Sequence, residues 1–145
     1  MRFIKNQGGS FMTRNVGLWI DHKHAFVLWQ GKEEVLEIPS NVEPRISGGA
    51  RIDGMHNLNM GKEQRFNDRF DGHLREYYRK VISTIQEAEH ILIMGPGEAK
   101  HEFERNLLEH KDLRTRVMKI ESADKMTRHQ MAAHVREFFK QALVV

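Results

Sequence analysis

The run Ile91–Met94, followed by a Gly95-Pro96-Gly97 turn and the segment Glu98–Phe103, limits what this chain can fold into more than any other stretch. Four apolar residues without polar alternation are what a strand covered on both faces requires, and Gly95 and Gly97 supply the backbone freedom for a sharp reversal. Glu98 suits the positive end of a helix dipole, and Ala99, Phe103, Leu107 and His110 fall on one stripe at helical spacing. A buried strand feeding directly into an amphipathic helix is a βα unit, and a layered α/β domain follows from it.

Upstream, Val16–Asp21, His24–Gln30 and Glu34–Ile38 read as strands, with Gln30-Gly31-Lys32 as the turn between the last two. An antiparallel meander is expected, in which His22-Lys23 is either a tight connection or a bulge in one long bent ribbon. Trp19 and Trp29 supply large apolar area, and a buried indole N–H needs an acceptor. The longest helix is predicted over about Phe66 to Glu87, because Phe66, Phe70, Leu74, Tyr77, Val81, Ile85 and Ala88 recur every three or four residues. Its opposite face carries Arg65, Arg69, Arg75, Arg79 and Lys80, matched in number by Asp68, Asp71, Glu76, Glu87 and Glu89. Asp71 with Arg75 and Glu76 with Lys80 have i,i+4 spacing, so that face reads as solvated and self-paired rather than as a track for phosphates.

Arg116–Ile120 gives the last strand, and Thr127 to Gln130 matches a capping box that opens the last helix, with Met131, Val135, Phe138 and Ala142 as its buried stripe. Right-handed βα crossovers make the last two strands parallel neighbours. The expected fold class is therefore α/β: a mixed sheet, antiparallel meander plus parallel βα units, flanked by helices.

A chain of 145 residues fits one such domain, expected over 16–145. Residues 1–15 read as a flexible tail, since they carry two glycines and no periodicity. Gln7-Gly8-Gly9 can be encoded by a purine-rich ribosome-binding sequence, which makes Met12 a candidate true start. Net charge is +3, but Arg2, Lys5 and Arg14 are the only charged residues before Val16, so the remainder balances and the total is no sign of a basic binding face. Without cysteine there are no disulfides or thiolate metal sites, and no apolar run approaches the roughly 20 residues that span a bilayer. With no signal-peptide pattern either, no membrane contact and a cytoplasmic location are expected.

The segment from Pro39 to Arg65 stands apart: it holds two of the three prolines, four glycines and no period at either 2 or 3.6 residues. Its larger apolar residues (Val42, Ile46, Ile52, Met55, Leu58, Met60) are too few to offset the ordering of its backbone. A loop of this length in a small domain is usually functional, which makes it the first candidate for a contact surface.

Recognisable catalytic chemistry is scarce. Asp21 ends the first strand in a way that resembles the ribonuclease-H-like layout, yet no second acid ends the central strand and Glu76 projects from a polar face, so Asp21 reads as a hydrogen-bonded turn residue and no metal site is expected. Of the nine histidines only His22 and His24 share a strand face, and His129 and His134 do not share a helix face. No Ser-His-Asp order or Walker pattern is present, and no catalytic residue or cofactor is assigned. A glycine turn before a helix does expose backbone N–H groups, and Lys100 can add a charge to an anion there, although a compact strand-to-helix turn explains the same residues.

Taken in order, the opening strand with Asp21 and Ala25 (VGLWIDHKHAFVL), the long loop into an arginine-rich helix, the turn GPGEAKHEF and the closing strand and helix resemble the central domain of the archaeal and eukaryotic class I release factors and Pelota. The chain looks like a stand-alone, bacterial-type relative with that superfamily's translational-machinery layout. In the release factors a Gly-Gly-Gln in this loop helps water attack peptidyl-tRNA. Here Gly48 and Gly49 match and Ala50 stands in the glutamine's place, so the side chain that would position a water is missing. The resemblance therefore implies a ribosome- or RNA-associated protein of the rescue type, contacting phosphates through Arg45 and Arg51, with Gly48 and Gly49 permitting close approach and Lys100 nearby. It points away from peptidyl-tRNA hydrolysis. A hydrolase of peptidyl-tRNA or RNA acting through other residues, and an interaction module without nucleic acid, remain as alternatives, and self-association into a homo-oligomer stays open.

Overall fold

The computed structural model describes residues 14–41 and 71–143. Its five strands are β1 (Asn15–Ile20), β2 (His24–Trp29), β3 (Val35–Pro39), β4 (His90–Gly95) and β5 (Val117–Ser122), arranged in one sheet in the order β3-β2-β1-β4-β5. The meander pairs antiparallel, β1 with β2 and β2 with β3, whereas β4 runs parallel to both β1 and β5. This is the expected mixed sheet. Flanked by parallel strands and covered on both faces, β4 buries Ile91 to Gly95 in succession, which accounts for its unbroken apolar run.

Helix α1 covers residues 71–84, followed by α2 (Ala99–Leu107), the short α3 (Lys111–Arg114) and α4 (Arg128–Ala142). On one face of the sheet Leu74, Tyr77, Tyr78, Val81 and Ile82 of α1, Ile85 just after it, and Phe103 and Leu107 of α2 pack against Val16, Leu18, Ile20, Ile91 and Ile93. On the other, Met131, Val135 and Phe139 of α4 pack against Trp19, Phe26, Leu28, Leu92 and Met94. Alternation along β1 and β4 thus divides their side chains between two cores, with the sheet as the middle layer.

Three details differ from the sequence expectation. The buried stripe of α4 passes through Phe139; Phe138 is half-buried and Ala142 exposed. Four-residue steps from Met131 through Val135 reach Phe139, while Phe138 stacks edge-on against it at 5.1 Å. Helix α2 stops at Leu107, so His110 is not on its stripe but precedes α3. Glu76–Lys80 is not among the ion pairs within 4.0 Å in the described residues. An exposed i,i+4 pair is worth only about 0.3–0.5 kcal/mol, which does not outweigh the freedom of two long side chains.

Arg14, expected in the tail, is tied to the sheet through its carbonyl, which accepts the Glu89 N–H at 2.7 Å, and Asn15 opens β1. The rest of the tail, residues 42–65 of the long loop and the first turns expected of the long helix lie outside the described residues. Among the described residues no helix is long and apolar enough to cross a membrane.

Candidate functional site

Ligands of open α/β sheets gather beyond the carboxyl ends of the parallel strands, here β1, β4 and β5. At the end of β1, Asp21 folds its carboxylate back on the chain: Oδ1 accepts the N–H of Lys23 at 2.8 Å and of His24 at 2.9 Å. That turn closes β1 onto β2, so the connection is a tight reversal rather than a bulge, and Asp21 is the hydrogen-bonded turn residue its position called for.

Two buried phenols fasten the helices to this turn. Tyr77 of α1 donates its hydroxyl to the Asp21 carbonyl at 2.9 Å, and Tyr78 donates to Glu102 Oε1 of α2 at 2.8 Å. The same Glu102 oxygen lies 3.0 Å from His22 Nε2. Desolvation, reinforced by the charge of Asp21, raises the Tyr77 pKa far above its ordinary value. For Tyr78 desolvation is again the largest cause, followed by its hydrogen bond to Glu102. The helical stripe identified Tyr77 as core and passed over Tyr78; the signal for both was a hydroxyl at a buried position, which must find an acceptor.

On the opposite face, His24 Nδ1 lies 3.3 Å from Glu37 Oε2, and its Nε2 lies 3.3 Å from Lys125 Nζ and 3.9 Å from Asp21 Oδ2. Arg128 reaches Glu37 Oε1 at 2.7 Å and, with Lys125, covers the Phe26 ring. Trp19 finds its acceptors in the Ala123 and Asp124 carbonyls, at 3.2 and 3.3 Å. The carboxylates of Asp21, Glu37 and Glu102 are thus engaged within the fold, and among the described residues no group of three His, Cys, Asp or Glu could hold a metal ion.

The β4 turn completes this end. A Cβ on Gly95 would lie 2.1 Å from the Ile20 carbonyl oxygen, so the ends of β4 and β1 touch through bare backbone. Gly97 takes a φ of +61°, the left-handed conformation that glycine adopts without strain. Lys100, expected at this turn, is buried in α2, and its ammonium donates to the Gly97 carbonyl.

The remaining site candidates of the sequence, Arg45, Gly48, Gly49 and Arg51, lie outside the described residues, as does Ala50. What flanks them is placed. The Ser40 N–H donates to the Lys23 carbonyl at 2.8 Å, and Tyr77, less than two turns into the described part of α1, touches Asp21. The end of β3 and Tyr77 in the described part of α1 therefore lie at the carboxyl end of the parallel strands, the end that also carries the Gly95–Gly97 turn.

No protein-family model matches this sequence, and no curated protein matches it. Among solved structures, the chain is similar to the Thermoplasma acidophilum Pelota protein, with 17% identity and a TM-score of 0.44 over 88% of this chain and 32% of that one. It is also similar to an archaeal translation termination factor, aRF1, with 15% identity and a TM-score of 0.47 over 89% of this chain and 40% of that one. The chain thus spans about a third and two-fifths of the length of these two proteins, and identities this low speak to the fold alone.

Proposed function

We propose that this protein is a cytoplasmic, translation-associated factor that contacts the ribosome or structured RNA through the segment between β3 and α1, and that it does not hydrolyse peptidyl-tRNA. The observation carrying this reading is that the described flanks of that segment, Ser40 after β3 and Tyr77 of α1, both bond to the turn at the carboxyl end of β1, the usual working end of such a sheet. The segment holds Arg45 and Arg51 around Gly48-Gly49, residues suited to phosphate contact and close backbone approach. The order of sequence motifs shared with the release-factor central domain supports the same reading. Ala50 supports the absence of hydrolysis, because a methyl group neither donates nor accepts the hydrogen bond that would orient a water.

Sedimentation with ribosomes at low and high salt tests it. Salt-sensitive co-sedimentation without release of labelled peptide from peptidyl-tRNA is the expected result. Peptide release would identify a hydrolase, and failure to sediment at any salt would favour an interaction module with no nucleic-acid partner.

A further inference from the structure

Strand β2 ends at Trp29 and β3 begins at Val35, so residues 30–34 turn past α4 outside the sheet. Between that turn and the helix lies a cavity of about 150 Å³. Leu28 and Val135, both buried, and the half-buried Ala132 form its apolar wall. Ala132 contributes a single methyl where a longer side chain would fill the space. A cavity of that volume with an apolar wall takes up a group the size of a benzene ring.

The polar side chains of the lining are mainly donors. Lys32 and Arg136 are exposed, and neither makes a side-chain hydrogen bond or an ion pair within 4.0 Å among the described residues. Gln30 lines the cavity too; its Oε1 already accepts from Asn15 Nδ2 at 2.7 Å, which leaves its amide N–H groups to offer. Glu33 is the one acid in the lining and is likewise unbonded among the described residues, so the balance is two cations to one anion. An apolar wall beside an excess of positive charge and N–H donors fits a molecule with an apolar ring and one carboxylate. A neutral ring would leave the donors unanswered, and a bare anion would leave the wall wet.

We propose that this cavity binds a small aromatic carboxylate, with its ring against Leu28, Ala132 and Val135 and its carboxylate held by Arg136 and Lys32. The Gln30 amide is a further donor to the same group. The site stands at the opposite end of the sheet from Asp21, since Trp29 pairs with Val16 near the start of β1. It therefore goes beyond the ribosome reading, which depends on the segment holding Arg45 and Arg51; either can fail while the other stands.

The test is a titration of the full-length protein by amide NMR with benzoate, against benzyl alcohol and benzylamine at equal ionic strength. Benzoate should give saturable shifts grouped at residues 28–33 and 132–136, and the other two probes should bind roughly tenfold or more weakly. Arg136→Gln should weaken benzoate by a similar factor, and Ala132→Leu should abolish its binding by filling the cavity. A thermal melt checks that both variants fold; should Ala132→Leu fail to fold, Ala132→Val takes its place. Benzoate that does not saturate, that shifts amides elsewhere, or that binds no better than benzyl alcohol or benzylamine would overturn the site. Unchanged benzoate affinity in either variant would overturn it as well.

Discussion

A Cβ built on Gly17 would lie 2.2 Å from Cγ2 of Val135 and 3.0 Å from Cγ1, so α4 rests directly on the backbone of β1. Any side chain at Gly17 must lift the helix that covers the Trp19, Leu92 and Met94 side of the sheet. Gly17→Ala should cost about 1–3 kcal/mol, read as a lower urea midpoint at unchanged slope. Adding Val135→Ala removes both clashing methyls, so the double variant should be less destabilised than the two single losses summed. Strict additivity would mean that this contact does not set the helix's distance.

Alkaline pH should unfold the protein through its two tyrosines, which are the only ones in the chain. Both folded-state pKa values are raised above the ordinary 10. The folded state therefore holds these protons where the unfolded state has lost them, so the associated stability is fully present below pH 10 and falls as pH rises above it. The slope approaches about 1.4 kcal/mol per pH unit for each phenol. Tyrosinate absorbance should emerge together with loss of helical circular dichroism, not before it. Titration of either phenol in the folded protein would contradict the buried hydrogen bonds to Asp21 and Glu102.

Asp21 should act through its turn and not through a metal. Asp21→Ala removes the acceptor of two backbone N–H groups and should cost about 1–2 kcal/mol, whereas Asp21→Asn keeps an oxygen in place and should cost less. Calorimetry with magnesium or manganese should show no binding that Asp21→Ala abolishes. Equal damage from Asn and Ala would shift the explanation to the Asp21 charge beside His24.

The Thr127 hydroxyl accepts the Gln130 N–H at 3.1 Å while the Gln130 side chain accepts the Thr127 N–H at 2.9 Å. Thr127→Ala should lower stability by about 1 kcal/mol, measured by urea unfolding, and Thr127→Ser should restore most of it.

That capping box was legible in the sequence because it is local: four consecutive residues contain all of its chemistry. The β4 run was legible for a related reason, since a strand buried on both faces leaves no polar residue to hide. The register of α4 was not. Phe138 and Phe139 are adjacent on the helix, and which of them faces the sheet depends on where Val135 meets Gly17, a contact 118 residues away in sequence. Tyr78 was missed because a helical stripe counts apolar bulk and ignores the hydroxyl's need for Glu102, which α2 supplies from another part of the chain. Lys100 could be placed at the turn from its spacing, but its burial depends on how α2 docks on the sheet.

The central claim concerns the segment between β3 and α1, and replacing both Arg45 and Arg51 by alanine tests it most directly. Ribosome or RNA affinity should fall, and the slope of log affinity against log salt should flatten by roughly one unit per lost phosphate contact. Thermal stability should stay nearly unchanged, since the two cores described above are built without either residue. A double variant that binds as tightly as the parent, with the same salt slope, would contradict the account.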